Sequence, residues 1–200
     1  MAINKQPVAK KCRTYGISPA VMGYGKKITT NRNPGGNRRR KVSEYGSQLQ
    51  EKQKVKFVYG VLEKQFRMYF ERAQKLEGTT GENMLRLLEQ RLDNVVYRLG
   101  LAMTRREARQ AVTHGHFTVN GKRVNIPSYM VRVGDVVAVC EKSAQNAFYK
   151  KLKEDDAFIA APKWLDRDKN TLQGKVLALP ARDDIDFEIA EHLIVELYSK

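Results

Sequence analysis

The sequence predicts an α+β protein. We expect a mainly helical domain and an inserted small α/β module of two helices plus short antiparallel strands, preceded by a basic extended arm. The first 43 of the 200 residues contain eleven Lys or Arg and no Asp or Glu. From Ser47 onward apolar residues recur at helical spacing, and Asn120-Gly121 lies between short runs of strand-forming residues.

Residues 1–43 are the predicted arm. A folded surface normally mixes both signs of charge, and a segment of one sign repels itself until an anionic partner supplies counter-charge. Pro34, Gly35 and Gly36 favour an extended chain over a helix. The alternative is a solvated tail with no specific partner. If the arm does bind a polyanion, its candidate contact residues are Lys10, Lys11, Arg13, Lys26, Lys27, Arg32, Arg38, Arg39, Arg40 and Lys41.

The helical domain is predicted to comprise residues 44–90 and 180–200. Thr79 and Glu82 have the spacing of a capping box, and the apolar face that follows predicts one continuous helix ending at Gly100. A further helix is expected from Asp186 to Leu197, packed on the helices of residues 47–80. Candidate contact residues in this domain are Tyr45, Lys52 and Lys54. Tyr45 and Tyr59 can add stacking or hydrogen bonds to such a contact. Packing within the helical domain explains these two tyrosines equally well.

The inserted module is predicted over residues 91–179. Thr104 and Glu107 repeat the capping-box spacing, and the helix that they begin carries three arginines on one side. Asn-Gly between strand formers is a strong hairpin signal, further short strands are expected over residues 131–139, and Lys142 to Lys153 looks helical. We expect these arginines and the cations of the hairpin to form one contiguous basic ridge. The alternative is a helix face that only keeps the protein soluble. The candidate contact residues are Arg105, Arg106, Arg109, His116, Asn120, Lys122 and Arg123.

Other classes of function find little support in the sequence. The longest apolar run, Val136 to Cys140, is too short to span a bilayer, and no signal peptide is recognised. No catalytic constellation or nucleotide-binding loop is present, so we expect no enzyme and no catalytic residue. Cys12 and Cys140 are expected to be free thiols in a reducing cytoplasm. His114 and His116 lack further metal ligands nearby, which favours surface or RNA-contacting histidines.

Several motifs resemble one known family. Residues 91–100 and 104–110, His114-Gly115-His116 and residues 119–125 are similar to the RNA-binding module named after bacterial small-subunit ribosomal protein four. That module also occurs in some pseudouridine synthases, tyrosyl-tRNA synthetases and a heat-shock protein. Residues outside the module resemble the ribosomal protein family itself; these are Arg39 to Lys41, Ser43 to Gly46, Gln48-Leu49, Glu51 to Lys54, Tyr59-Gly60 and Glu191 to Lys200.

The resemblance implies a structural ribosomal protein. Members of the family bind small-subunit ribosomal RNA at a junction of several helices in the 5′ domain and nucleate assembly of the subunit body. They neighbour small-subunit proteins three and five, close to messenger RNA where it enters the subunit. Their contact with protein five affects decoding accuracy. An RNA-modifying enzyme and a general nucleic-acid packaging protein are the competing hypotheses.

One departure from the family pattern concerns metal. Many members carry four zinc-binding cysteines in the arm, whereas this arm contains only Cys12. A single thiolate cannot form a tetrahedral structural site. We therefore expect a zinc-free member of the family, with no metal and no other cofactor.

Overall fold

The computed structural model describes residues 6–25, 43–154, 161–168 and 171–199. The chain divides into two compact units, Met1–Met84 with Asp186–Lys200, and Leu85–Ile185. The predicted domain borders at residues 90, 91, 179 and 180 stay a prediction. No helix in the described parts is long and apolar enough to cross a membrane.

The unit of Met1–Met84 with Asp186–Lys200 is built from helices. Apolar side chains three and four residues apart give each helix one face that can be buried. Phe66, Tyr69, Phe70 and Ala73 form such a face on one helix and are all buried. The α-helices that lie in this unit or begin in it are α1 (Val8–Tyr15), α2 (Glu44–Tyr59), α3 (Glu63–Ala73), α4 (Thr80–Glu89) and α9 (Glu191–Ser199).

The described part of the arm is not extended, which corrects the prediction for residues 6–25. Helix α1 is followed by a 3-10 turn at Pro19–Met22. Val8, Cys12 and Tyr15 recur at positions i, i+4 and i+7, so one side of α1 is apolar and packs with Met22 and Phe57. The basic composition of the segment concealed this periodicity. Both cysteines of the chain are thiols outside any disulfide.

The continuous helix predicted from Thr79 to Leu99 is also wrong. The structure has two helices, α4 and α5 (Leu92–Arg98), separated at Arg91, whose backbone is extended. Arg91 forms an antiparallel bridge with Met130, and Leu92 N donates a hydrogen bond to Tyr129 O. Pairing with a distant segment therefore interrupts a run of residues whose local pattern is helical throughout.

The helix predicted from Asp186 to Leu197 is shorter than expected, because α9 begins only at Glu191. The preceding residues are fixed by tertiary contacts: Phe187 packs on Tyr59 with ring centroids 6.2 Å apart, and Ala190 N donates to Glu51 Oε2 at 3.3 Å. The predicted packing of this segment on the helices of residues 47–80 is confirmed.

The unit Leu85–Ile185 contains a five-stranded antiparallel sheet. Its strands are β1 (Phe117–Val119), β2 (Lys122–Arg123), β3 (Val136–Val139), β4 (Leu165–Asp168) and β5 (Gln173–Val176), and their order is β2-β1-β3-β5-β4. Only β3 formed in the region where several strands were predicted, and the strands after residue 160 were not recognised in the sequence. The helix predicted over Lys142 to Lys153 is divided into two. The remaining helices of this unit are α6 (Arg105–Thr113), α7 (Glu141–Ala144) and α8 (Ala147–Glu154).

The sheet contains a tight hairpin and packs closely against the end of α5. Asn120 and Gly121 have φ values of 50° and 78°, as a type I′ turn requires, and Val119 pairs with Lys122. The predicted hairpin is confirmed. At the other end of the core, a Cβ built on Gly174 would lie 2.3 Å from Leu99 Cδ2. Only glycine allows β5 to approach the end of α5 so closely.

Candidate RNA interface

Helix α1 presents a basic face on a fixed support. Its apolar side is anchored by the Tyr15 ring, 5.7 Å from that of Phe57, while Gln50 Nε2 of α2 donates to Thr14 O at 3.3 Å. Lys10 and Arg13, three residues apart, are exposed on the other side. Lys11 Nζ lies 5.5 Å from the centre of the Tyr15 ring. The described part of the arm is thus a docked helix with cations toward solvent.

The rest of the arm's candidates lie outside the described residues. They are Lys26, Lys27, Arg32, Arg38, Arg39, Arg40 and Lys41, and their role in RNA binding stays a prediction. In the sequence, Arg38 to Lys41 end two positions before Ser43, whose Oγ accepts a hydrogen bond from Gly46 N and caps α2. Tyr45, in the first turn of this helix, is 61 % exposed. Its ring is accessible for stacking, whereas Tyr59 is buried and packs.

The two candidate lysines of α2 are held within the protein. Lys52 Nζ pairs with Glu63 Oε1 at 2.9 Å and lies over the Tyr198 ring, and Lys54 Nζ pairs with Glu51 Oε1 at 3.3 Å. Both side chains are largely covered. The ion pair of Lys52 thus joins α2 to α3, whereas that of Lys54 lies within α2, and an RNA phosphate would have to compete for both cations.

Glu63 is the centre of this cluster. It accepts hydrogen bonds from Lys52, from Lys56 and from Tyr198 Oη, the last at 2.8 Å. Burial by itself would raise the pKa of Glu63, but the hydrogen bonds from Lys56, Lys52 and Tyr198 outweigh it and lower the pKa to about 2. Burial and the bond to Glu63 raise the pKa of Tyr198. The carboxylate therefore stays ionised throughout the neutral and mildly acidic range.

We expect Glu63→Gln to lower the free energy of unfolding at pH 7 by less than about 1 kcal/mol, because the side chain is half exposed. The ion pairs stabilise the fold above the ordinary glutamate pKa of 4.5, and this contribution disappears as the pH falls to about 2. Urea unfolding at several pH values should show wild type and variant converging below pH 4.5. Glu188→Gln, at an exposed site, is the control, and a constant difference at all pH values would contradict the prediction.

The three arginines of α6 do not form one exposed ridge, which corrects that expectation. Arg105 is only 6 % exposed; its Nε donates to Asn94 Oδ1 at 3.0 Å and its guanidinium lies 4.4 Å from the Tyr97 ring centre. Arg109 Nη1 pairs with Asp93 Oδ2 at 3.1 Å. Arg106 is half-buried. Because α6 packs on α5, the guanidinium of Arg105, which contacts α5, is buried between the two helices.

The predicted N-cap of α6 is confirmed. Thr104 Oγ1 accepts from Glu107 N at 3.1 Å, and Glu107 Oε2 accepts in return from Met103 N at 2.8 Å. This pair satisfies backbone donors that a helix N-terminus otherwise leaves open. It fixes where α6 begins and hence the direction in which Arg106 projects.

The hairpin residues serve the fold as well as the surface. The Asn120 side chain donates to Asp135 Oδ1 at 2.8 Å and accepts from Val136 N at 2.9 Å. Arg123 donates to the carbonyl oxygens of Gly115 and His114, at the end of α6. Lys122 is exposed and has the freest position of the three for an anion.

His116 lies between α6 and α7. Its Nδ1 is 2.8 Å from Ser143 Oγ, and its ring is tilted against that of Tyr149. Burial, with the nearby charges of His114 and Arg123, lowers the pKa of His116 below its ordinary value. The imidazole is therefore neutral at pH 7, which disfavours an ionic contact with phosphate there.

Sequence reasoning missed one set of exposed cations, on α3. The helix carries two glutamates, so its overall charge is nearly balanced and attracts no notice. The helical spacing of the basic residues is the signal that would have identified them. They are Lys64, Arg67, Arg72 and Lys75, all exposed.

Metal ligands do not cluster in the described parts of the chain, where no group of three or more His, Cys, Asp or Glu side chains is placed to hold an ion. Cys12 is buried with Met22 and Phe57. The absence of zinc stays a prediction, which metal analysis of the purified protein tests.

A helical unit with a basic docked helix, next in sequence to a helix-and-hairpin unit with exposed cations, fits the class of RNA-binding proteins. A family model described as the S4 domain matches residues 90–137, and one described as the ribosomal protein S4/S9 N-terminal domain matches residues 4–89.

Curated bacterial relatives match along the whole chain. Small ribosomal subunit protein uS4 of Acetivibrio thermocellus is 59 % identical over 193 residues, which cover 96 % of this chain and 89 % of that protein. The protein of the same name from Lachnospira eligens is 52 % identical over 200 residues, all of both chains. That of Caldicellulosiruptor bescii is 55 % identical over 202 residues, 97 % of each.

The chain therefore belongs to the ribosomal protein S4 family. Proteins of this family are structural, non-enzymatic components of the small ribosomal subunit in the cytoplasm. The RNA-modifying enzyme considered from the sequence is thereby excluded.

Proposed function

We propose that this protein binds small-subunit ribosomal RNA directly at a junction of several RNA helices and nucleates assembly of the subunit body. The observation that carries the proposal is helix α1, a basic segment without acidic residues that is docked by its apolar face and directs Lys10 and Arg13 to solvent. Such a helix offers positive charge in a fixed position before RNA arrives, so less conformational entropy is lost on binding.

Binding of this kind is driven by phosphate neutralisation. Cations that replace condensed counterions make the affinity fall with salt, by a slope of about 0.7 to 0.9 for each phosphate neutralised. Side chains cannot reach into the deep major groove of A-form RNA, so specificity comes from the shape of the junction. Two units that each expose cations suit a site where helices converge.

The test is binding of the full chain to three nucleic acids at several salt concentrations. These are small-subunit 5′-domain RNA, an unrelated structured RNA of equal length, and duplex DNA. We expect the 5′-domain RNA to bind at least tenfold more tightly than the others at physiological salt. Equal affinity for all three would favour a general packaging protein and would refute the proposal.

A second part of the proposal concerns partners. We infer that the chain contacts small-subunit proteins three and five, lies near messenger RNA where it enters the subunit, and influences decoding accuracy through protein five. Membership of the family supports this part, since its curated members are named as small-subunit proteins. Cross-linking of assembled subunits followed by mass spectrometry should recover both protein pairs. Failure to recover protein five would remove the basis for the effect on accuracy.

A further inference from the structure

We propose that the outer face of α3, formed by Lys64, Arg67, Arg72 and the following Lys75, is a further contact surface for the phosphates of ribosomal RNA. This inference rests on the proposed function, because it assumes the same RNA as the partner. It adds a second basic surface of the helical unit to that of α1, on exposed cations rather than on the paired lysines of α2.

The position of the cations follows from helix geometry. At about 100° per residue, Lys64, Arg67 and Arg72 fall within about 140° of one another, opposite the buried side of α3. Lys75 continues this surface in the turn that ends the helix, where its backbone N–H donates to Arg72 O at 3.2 Å. From Lys64 to Arg72 the helix rises about 12 Å. The face can therefore meet several successive phosphates.

The negative charge near this face is small. The acids next to the face along the chain are the exposed Glu77, two residues after Lys75, and Glu71, which pairs with Arg67 at 3.4 Å while both side chains stay more than half exposed. An exposed pair of this kind contributes little to stability, so Arg67 can exchange it for a phosphate. Glu63, the other acid of the helix, is occupied by Lys52, Lys56 and Tyr198.

The cluster around Glu63 divides the cations of this unit into two groups. Lys52 and Lys56 share the single carboxylate of Glu63, which offsets one of their two positive charges and holds both largely covered side chains against the protein. The α3 cations have no comparable shield. Met68 is 37 % exposed at the centre of the face, where an unbranched apolar side chain can pack against ribose or a base. Arginine beside it can donate two parallel hydrogen bonds to phosphate oxygens.

The test compares two triple variants of the full chain that each lose three positive charges. Lys64→Gln with Arg72→Gln and Lys75→Gln removes three of the four cations of the α3 surface and keeps Arg67, which pairs with Glu71. Lys142→Gln with Lys163→Gln and Lys175→Gln, at exposed sites of the other unit, is the matched control. All six positions are exposed, and glutamine has nearly the helix propensity of the lysines and arginine at the helical ones, so both variants should fold, which circular dichroism checks.

We expect the salt slope for 5′-domain RNA to fall by about 2 to 3 in the α3 variant and by less than about 1 in the control. A third variant, Lys64→Arg with Lys75→Arg, should keep the wild-type slope. Equal slopes in the α3 variant and the control would overturn the inference. So would an α3 variant that binds RNA as the control does yet is lost from assembled subunits, since that result assigns the face to a protein.

Failure of this inference is distinguishable from failure of the proposed function. The wild-type chain is measured in the same experiment on unrelated RNA and duplex DNA. If wild type discriminates among the three and the α3 variant matches the control, only the α3 surface is refuted. If wild type does not discriminate, the proposed function itself fails.

Discussion

Glu89→Gln is expected to lower the free energy of unfolding by about 3 to 5 kcal/mol, the usual cost of breaking a buried ion pair on one side. Glu89 is fully buried, and the hydrogen bonds that its side chain accepts include two from Arg98, at 3.0 and 2.9 Å, and one from Asn94 Nδ2, at 2.7 Å. The substitution keeps the shape but removes the charge. The Arg98 guanidinium then stays buried without the carboxylate that compensates it.

Denaturant unfolding followed by tryptophan fluorescence measures this loss. Trp164 is the only tryptophan in the sequence and is buried in the same unit as Glu89. Glu71→Gln is the control, because it removes an exposed carboxylate from its ion pair and should cost less than about 0.5 kcal/mol. A loss below 1 kcal/mol for Glu89→Gln would mean that water reaches Arg98 in the native state.

This network also links stability to the RNA interface. Asn94 donates to Glu89 and accepts from Arg105 Nε, so the chain of hydrogen bonds runs from the end of α4 through α5 to the start of α6. Unfolding of this unit therefore removes α6 and its half-buried Arg106 from the candidate interface. We expect weaker RNA binding from Glu89→Gln in proportion to the unfolded fraction, with the salt slope of the folded fraction unchanged.

Local signals predicted the elements that local interactions stabilise. The cap of α6 depends on Thr104 and Glu107, three residues apart, and the hairpin depends on the adjacent Asn120 and Gly121. In both cases the residues that specify the structure are the residues that contact each other. Neighbouring sequence therefore contains most of the information, and both predictions were confirmed.

Two of the failures have a distant cause. Arg91 interrupts a helical pattern because its backbone pairs with Met130, 39 positions away. Residues 186–190 leave the helical conformation because Ala190 N donates to Glu51 Oε2. Neither contact can be recognised from the surrounding sequence, so local periodicity alone could not have predicted where these helices are interrupted.

Charge counting had the same limit at the candidate site. It directed attention to the cations of α1, but it treated every lysine and arginine as available. Lys52, Lys54 and Arg105 are engaged inside the fold, by partners that are remote in sequence or that only the helix geometry brings close. The exposed cations of α3 were overlooked for the opposite reason, because Glu63 appeared to balance them and is in fact occupied elsewhere.

Ile194→Ala is expected to lower the free energy of unfolding by about 2 to 5 kcal/mol, the usual cost of truncating a fully buried isoleucine. Ile194 is 0 % exposed on α9. One turn further along, the Tyr198 ring lies 4.7 Å from that of Phe70 and its hydroxyl donates to Glu63. A cavity at position 194 should loosen all of these contacts, because a helix of nine residues docks as one body.

Hydrogen exchange resolved by mass spectrometry locates the effect. Amides of α2 and α9 should exchange faster in Ile194→Ala, since α9 packs on α2 and completes the unit that begins with α1. His192→Ala, at an exposed position of the same helix, is the control and should change stability by less than about 0.5 kcal/mol. Unchanged protection of α2 in the Ile194 variant would show that α2 keeps its structure without α9. Faster exchange would instead mean that the helix supporting α1 and its cations depends on a segment more than 130 residues away in sequence.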